Sequence, residues 1–398
     1  MREQRATPAP ALRVWRRPML GRSPGEEHRA STPLEAFFDL CFVVAVAQAA
    51  AQLHHALSEG EVAHGLLGYG AVFFAIWWAW MNFTWFASAY DTDDVLYRIA
   101  TLVQIAGALI LAAGVPRAFE GDFALVTVGY LVMRVALTGQ WLRAARDDPG
   151  RRETGRRYAL GVAVLQLGWV ARLALPGGWM AAASFLVLVA LELAVPVWAE
   201  RRGAISWHPG HIAERYGLFT LIVLGESVAA ATTAVQSAVA SGQQLGSLLT
   251  LAAGGLLIVF SMWWLYFEQH ADERLSSTNL GSFVWGYGHY VIFASAAAVG
   301  AGLQVAVDHD AGRAHLPAWG AAGSVAVPVA LYLLSVWLLH PGAEDRRSPR
   351  RAAYPLAAAL VLCAMAAGQP VLLIGLLLAA LVAARLLTAP RGAAREPT

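Results

Sequence analysis

The 398-residue chain is 58% hydrophobic and only 14% charged, too apolar for soluble domains of that length. Its 29 basic residues are all arginine and exceed the 27 acids by two, a balance that argues against a nucleic-acid partner. The two cysteines, Cys41 and Cys363, lie inside apolar runs and read as packing residues, so neither a disulfide nor a zinc site is expected.

Residues 1–32 are rich in Arg, Pro and Gly and contain no apolar run, so they lack the core of a secretory signal and are expected to form a disordered basic tail. Arg16-Arg17 does not make a twin-arginine signal, because the apolar run begins well downstream and continues as a full span. A membrane-spanning helix needs about 20 mostly apolar residues. Twelve such segments follow, at 34–55, 64–87, 96–114, 122–143, 157–175, 179–198, 212–236, 245–268, 282–305, 318–340, 354–367 and 370–388. The last two are short and separated only by Gly368-Gln369-Pro370, so a broken or re-entrant hairpin competes with two full spans. Residues 390–398 are polar and expected to be disordered. The reading is an all-α, polytopic membrane protein of about twelve transmembrane helices, without cofactor.

With twelve spans every second connection shares a side with the N-terminus, and the arginines follow that alternation. The N-terminal tail, the 143–157 loop with six arginines, Arg201-Arg202, Arg274, the 346–351 loop with four and the C-terminal tail fall together. The opposite loops hold only Arg117, Arg313 and the marginal Arg172. Arginine excess marks the cytoplasmic side, so both termini are expected there, with the basic loops touching anionic membrane lipid.

Phe74, Trp77 and Trp78 align with Phe260, Trp263 and Trp264 at one offset of 186, with Trp80 over Tyr266. Acidic turns follow both segments: Asp91, Asp93 and Asp94 in one, Asp272 and Glu273 in the other. Six helices separate the copies, so the halves 33–200 and 201–389 would be parallel repeats, with chance similarity of apolar aromatic segments as the competing explanation.

Ionisable side chains inside spans are costly and mark ion paths, cavities or buried pairs. In the first span Glu35 and Asp39 lie four apart, on one face. Thr32 and Pro33 start the helix just before Glu35, so Glu35 suits the positive helix end near the headgroups, whereas Asp39 is a turn deeper. In the seventh, Glu226 lies roughly 16 Å beyond Arg215 at 1.5 Å per residue. Glu214 and Arg215 would stand at its cytoplasmic mouth. Arg134, Glu192 and His289 complete the set. By depth, Asp39, His289, Glu192 and Arg134 are expected to meet in the inner half of the bilayer. An Arg134 pairing with Asp39 or Glu192 would be a fold-fixing ion pair. Three acids, Asp39, Glu192 and Glu226, then face one arginine and one titratable histidine, and Glu226 is the best candidate for an unpaired, proton-exchanging acid.

The aromatic residues of the second, eighth and ninth spans read as interface belt and helix packing, with a cation-π or sugar-stacking surface as the alternative. Three metal-like patterns are set aside. His208, His211 and Glu214 are spaced by three, but Pro209 more naturally starts the helix and leaves His208 as a flank. Asp91-Thr92-Asp93-Asp94 lacks the glycine and distal glutamate of an EF-hand and suits a helix cap. His54, His55 and His64 only flank a loop. No nucleophile motif or phosphate-binding glycine loop is present.

The segments TPLEAFFDLCFV, HIAERYGLFTLIVLGES, WWLYFE and WGYGHYVIFA, in that order and spacing, closely resemble the bacterial low temperature requirement A family. The resemblance covers spans one to nine, while the chain from about 306 is supported by hydropathy alone. It implies a multispan protein of the bacterial inner membrane and supplies no substrate or mechanism. The leading functional expectation is a secondary transporter or permease for a small solute or ion, with proton coupling as one option, and with Asp39, Arg134, Glu192, Glu226 and His289 as its polar core. Glu35, Glu214 and Arg215 would be at the mouth. An ion channel and an intramembrane lipid-modifying enzyme using Glu226 or His289 as a base are the alternatives.

Overall fold

The structure, a computed structural model, describes residues 15–23, 25–26, 29–240, 245–268, 275, 279–339 and 349–388. Residues 1–14, the acidic turn Asp272-Glu273, Arg274, residues 346–348 of the 346–351 loop and the tail 390–398 lie outside the described residues. Twelve α-helices occur among those described: α1 (Pro33–Ser58), α2 (Val62–Tyr90), α3 (Val95–Phe119), α4 (Ala124–Asp147), α5 (Arg152–Arg172), α6 (Trp179–Glu200), α7 (Pro209–Ala240), α8 (Leu245–Phe267), α9 (Asn279–Asp310), α10 (Ala318–Leu339), α11 (Pro349–Cys363) and α12 (Pro370–Leu387). Each expected span is a helix, and no strand is present among the described residues. Ten are long and apolar enough to cross a membrane. The others are α5, which carries four charges in its first six residues, and the short α11.

Local chemistry sets the helix starts. At α1, the Thr32 backbone N–H donates to Glu35 and the Glu35 N–H donates back to the Thr32 hydroxyl, a reciprocal capping box. Asp94 caps α3 by accepting the Tyr97 N–H. Pro209 opens α7, and the His208 ring accepts the His211 N–H. The acidic turn and His208 therefore act as caps.

The chain divides into two compact units, one of residues up to Ala45 with Ala75–Arg215, the other of Val46–Phe74 with Tyr216 onward. The division falls inside α1, α2 and α7. Its late boundary, between Arg215 and Tyr216, falls within α7, and residues 46–74 join the C-terminal unit. Of the aromatic positions aligned at offset 186, Trp80 and Tyr266 are both buried, whereas Trp77 and Trp78 are buried and Trp263 and Trp264 are about two-fifths exposed.

In the first unit α3 and α4 pack backbone to backbone. A Cβ on Gly129 would come within 2.4 Å of the Leu111 nitrogen and 2.5 Å of the Gly107 carbonyl, so only glycine fits. In the second, Gly302 of α9 does the same against the Ser324 carbonyl of α10, at 2.1 Å.

The described part of the expected N-terminal tail is a strap across helix ends of the first unit. Arg16 pairs with Asp147 at 2.8 Å, the Arg17 N–H donates to Asp94 at 2.6 Å, and Met19 is fully buried. The Arg22 N–H donates to the Ala89 carbonyl, and Arg29 donates to the Ala87 and Ser88 carbonyls in the last turn of α2. Cationic Arg29 thereby satisfies the Ser88 carbonyl that the helix end leaves open, and adds a second donor to the Ala87 carbonyl, which also accepts the Asp91 N–H. The expectation of disorder through residue 32 is corrected for this segment, because its backbone donors and its arginines find acceptors on the helix ends.

Candidate functional site

Two buried charge clusters lie in the first unit, with α2 contributing to both. The first joins α1 to α7. Glu35 and Asp39 on α1 face His211 and Arg215 on α7, two pairs with the same spacing of four on two helices. Arg215 binds Asp39 through two hydrogen bonds, at 2.9 and 2.6 Å, and stands 3.2 Å from Glu35. The His211 Nε2 meets Glu35 at 3.2 Å. Trp80 of α2 donates its indole N–H to Asp39 at 2.7 Å, and Thr84 lies 3.4 Å from Arg215. None of Glu35, Asp39, His211 and Arg215 is more than 1% exposed.

The second cluster joins α2, α4, α5 and α6. Arg134 and Glu192 form a buried ion pair. Arg134 also donates to the Tyr130 hydroxyl at 2.8 Å, and that hydroxyl donates to Glu192 at 3.2 Å, closing a triangle. The indoles of Trp78, at 2.8 Å, and Trp169, at 3.1 Å, donate to Glu192 as well. A carboxylate receiving donors from four side chains on three other helices has its desolvation offset by hydrogen bonds as well as by its counter-charge.

These arrangements revise the expected pairing. Arg134 selects Glu192, and Asp39 is taken by Arg215, which is fully buried. Glu35 does cap its helix, but it belongs to the same buried cluster as Asp39. Glu214 is exposed and accepts the Ser31 N–H of the strap at 3.2 Å. The polar residues expected to gather in one place fall into both units: Asp39, Arg134 and Glu192 in the first, Glu226 and His289 in the second. Glu226 is half-buried with no hydrogen-bond or ion-pair partner among the described residues. The His289 Nδ1 faces the Trp285 carbonyl at 2.8 Å, which makes it the donor, so Nε2 accepts from the Tyr266 hydroxyl at 3.0 Å. Among the described residues no group of three or more side chains is arranged to hold a metal ion.

Sequence reasoning weighed His211 only in a metal-like pattern and Trp78 and Trp80 only as belt or packing aromatics, and did not single out Tyr130 and Trp169. One signal was present for the α2 indoles. Belt tryptophans sit at span ends, whereas Trp78 and Trp80 lie mid-way along a 29-residue helix, where a buried N–H needs an acceptor.

Outside the spans, the loop after α2 carries charge into this region. Burial pushes Asp91 up to about 6; the negative charge of Glu35 adds to the rise and Arg29 opposes it. Burial alone would raise Asp94 too, but Arg143 and the N–H groups of Arg17 and Tyr97 outweigh it and hold Asp94 below its ordinary value.

These features define a polytopic all-α membrane protein whose first unit encloses two clusters of paired charges. The family of "Bacterial low temperature requirement A protein (LtrA)" matches residues 30–388. The chain belongs to that family. It is also similar to an uncharacterized protein of Rhizobium meliloti (strain 1021), 28% identical over 306 residues, which are 73% of this chain and 71% of the relative. No solved structure matches the chain.

Proposed function

We propose that the protein is a proton-linked secondary permease for a small solute or ion, and that Glu35, Asp39, His211 and Arg215 form its proton-handling centre. The observation that carries this reading is the charge count of that cluster. Two carboxylates and one arginine leave one negative charge among four side chains without solvent contact, and the one further member, His211, is the side chain that gains or loses a proton near neutral pH. Outside the cluster, Arg29 and Asp91 both act on Glu35, with opposite signs. One proton on the His211–Glu35 pair makes the cluster neutral, and its loss leaves a net charge away from water. Proton binding thus changes the attraction between α1 and α7 in a low-dielectric setting, which is the linkage a coupled carrier needs. The Arg134–Glu192 pair is already balanced and acts as a fixed partition.

The reading includes transport rather than catalysis, placement in the bacterial inner membrane and cytoplasmic termini, supported by the arginine-rich connections. Everted membrane vesicles acidified by respiration test it. Small solutes and salts are added singly, and the one that discharges the pH gradient with the wild type is tested against His211→Gln and Glu35→Gln. Coupled discharge that both variants lose supports the proposal. Unitary current steps in a planar bilayer without proton movement would replace the carrier with a channel.

A further inference from the structure

The end of the first unit made by the close of α4, the start of α5 and the close of α6 has more positive charge than it can pair. Segments 143–157 and 200–202 contain eight arginines and four acids. The acids are engaged: Asp147 by Arg16, Asp148 by the Gly150 N–H, Glu153 by Arg157, and Glu200 by the Tyr158 hydroxyl at 2.7 Å. Arg146, Arg152, Arg156, Arg201 and Arg202 are exposed and have no hydrogen-bond or ion-pair partner among the described residues. The start of α5 is tied to the segment after α6, since Thr154 donates to the Gly203 carbonyl at 2.9 Å and Arg151 to the Ala204 carbonyl at 3.2 Å, and Gly155 of α5 lies against Ala145 of α4.

A second, independent pattern accompanies the charge. One helical turn inward of these arginines lies an exposed apolar side chain: Leu142 before Arg146, Leu160 after Arg156, Val197 before Arg201 and Trp198 before Arg202. A spacing of four puts Leu142 and Arg146 on one face of α4 and Leu160 and Arg156 on one face of α5, while Arg201 and Arg202 follow directly on the end of α6, just past Val197 and Trp198. Each helix therefore shows an apolar step below a guanidinium at the level where α4 and α6, both long enough to cross a membrane, come to an end. A free anion or an acidic protein surface would use the arginines and leave the apolar steps without a role. A lipid uses both, acyl chain on the step and phosphate on the planar guanidinium fork.

We infer that this end of the first unit is a binding surface for anionic phospholipid headgroups, with Arg146, Arg152, Arg156, Arg201 and Arg202 as the phosphate-binding residues. The site is independent of the proposed transport centre.

Native mass spectrometry of the full-length protein in detergent, with phosphatidylglycerol or phosphatidylcholine added, tests the inference. The wild type is expected to retain phosphatidylglycerol in preference, and the variant carrying Gln at all five arginines to bind it about tenfold or more weakly, with phosphatidylcholine binding unchanged. The milder Arg152→Gln/Arg156→Gln variant keeps the test sound if the fivefold variant does not fold, and is expected to lose part of the preference. Equal retention of the two lipids by the wild type, or an undiminished preference in the double variant, overturns the proposal. Displacement of phosphatidylglycerol by millimolar inorganic phosphate overturns it too, by making the ligand a free anion.

Discussion

Trp78 and Trp80 stand two residues apart on α2 and donate their indole N–H groups to carboxylates in different clusters, Trp78 to Glu192 at 2.8 Å and Trp80 to Asp39 at 2.7 Å. Two helical steps turn the side chains through about 200°, so α2 serves both clusters from opposite faces. Replacing either indole with phenylalanine removes one donor from a buried carboxylate, a loss of about 1.5–3 kcal/mol. Trp80→Phe is expected to cost more, because Asp39 keeps only Arg215 whereas Glu192 keeps Arg134, Tyr130 and Trp169. The two losses should add to within about 0.5 kcal/mol, since the indoles share no acceptor. Thermal unfolding of the single and double variants in detergent checks both points, and equal single-variant costs would contradict the donor count.

The Arg134–Glu192 pair gives a sharper expectation. Removing one partner strands the other charge without solvent, so Arg134→Gln and Glu192→Gln should each cost about 3–5 kcal/mol. The double variant Arg134→Met/Glu192→Leu strands neither, and should be more stable than either single one. A double variant as unstable as the sum would show that the two groups do not act as a pair.

The helices, their number and the family were legible because hydropathy, caps and motif order are local properties of the chain. The partners of the buried charges were not. Whether Asp39 takes Arg134 or Arg215 depends on how far each helix is rotated about its axis, and a run of apolar residues constrains that rotation weakly. The matched spacing of four in Glu35/Asp39 and His211/Arg215 was visible, but it becomes a recognition pattern only once α1 and α7 are known to be neighbours. The strap was misread for the converse reason: a polar, arginine-rich segment looks unstructured until the carbonyls and carboxylates that it binds are in place.

Asp91 makes a prediction about pH. Its value, raised by burial to about 6, lies above that of an unfolded aspartate, near 4. The folded protein therefore binds the extra proton more tightly, and the associated stability is fully present below about pH 4 and lost as pH rises through about 6. Asp91→Asn removes this dependence. Its melting temperature is expected to match the wild type near pH 4 and to exceed it at pH 8. A variant that melts lower than the wild type at pH 8 would mean that the Asp91 charge is stabilising.

The strap offers a kinetic test. Asp147 accepts the Arg16 guanidinium at 2.8 Å and the Met19 backbone N–H at 3.2 Å, so it anchors the strap at two points. Arg22, a little further along, is half-buried and becomes a trypsin site only when the strap lifts. Asp147→Asn removes the charge and weakens both bonds, by about 1 kcal/mol together on the scale of part-exposed contacts. When opening and closing are fast relative to cleavage, proteolysis follows the open population. Cleavage after Arg22 should then accelerate about fivefold, followed by intact-protein mass spectrometry, while the melting temperature of the helical bundle changes little because the core contacts are untouched. An unchanged cleavage rate would place the anchor elsewhere, at Arg29 on the end of α2, whose guanidinium is only 6% exposed and already binds two carbonyls.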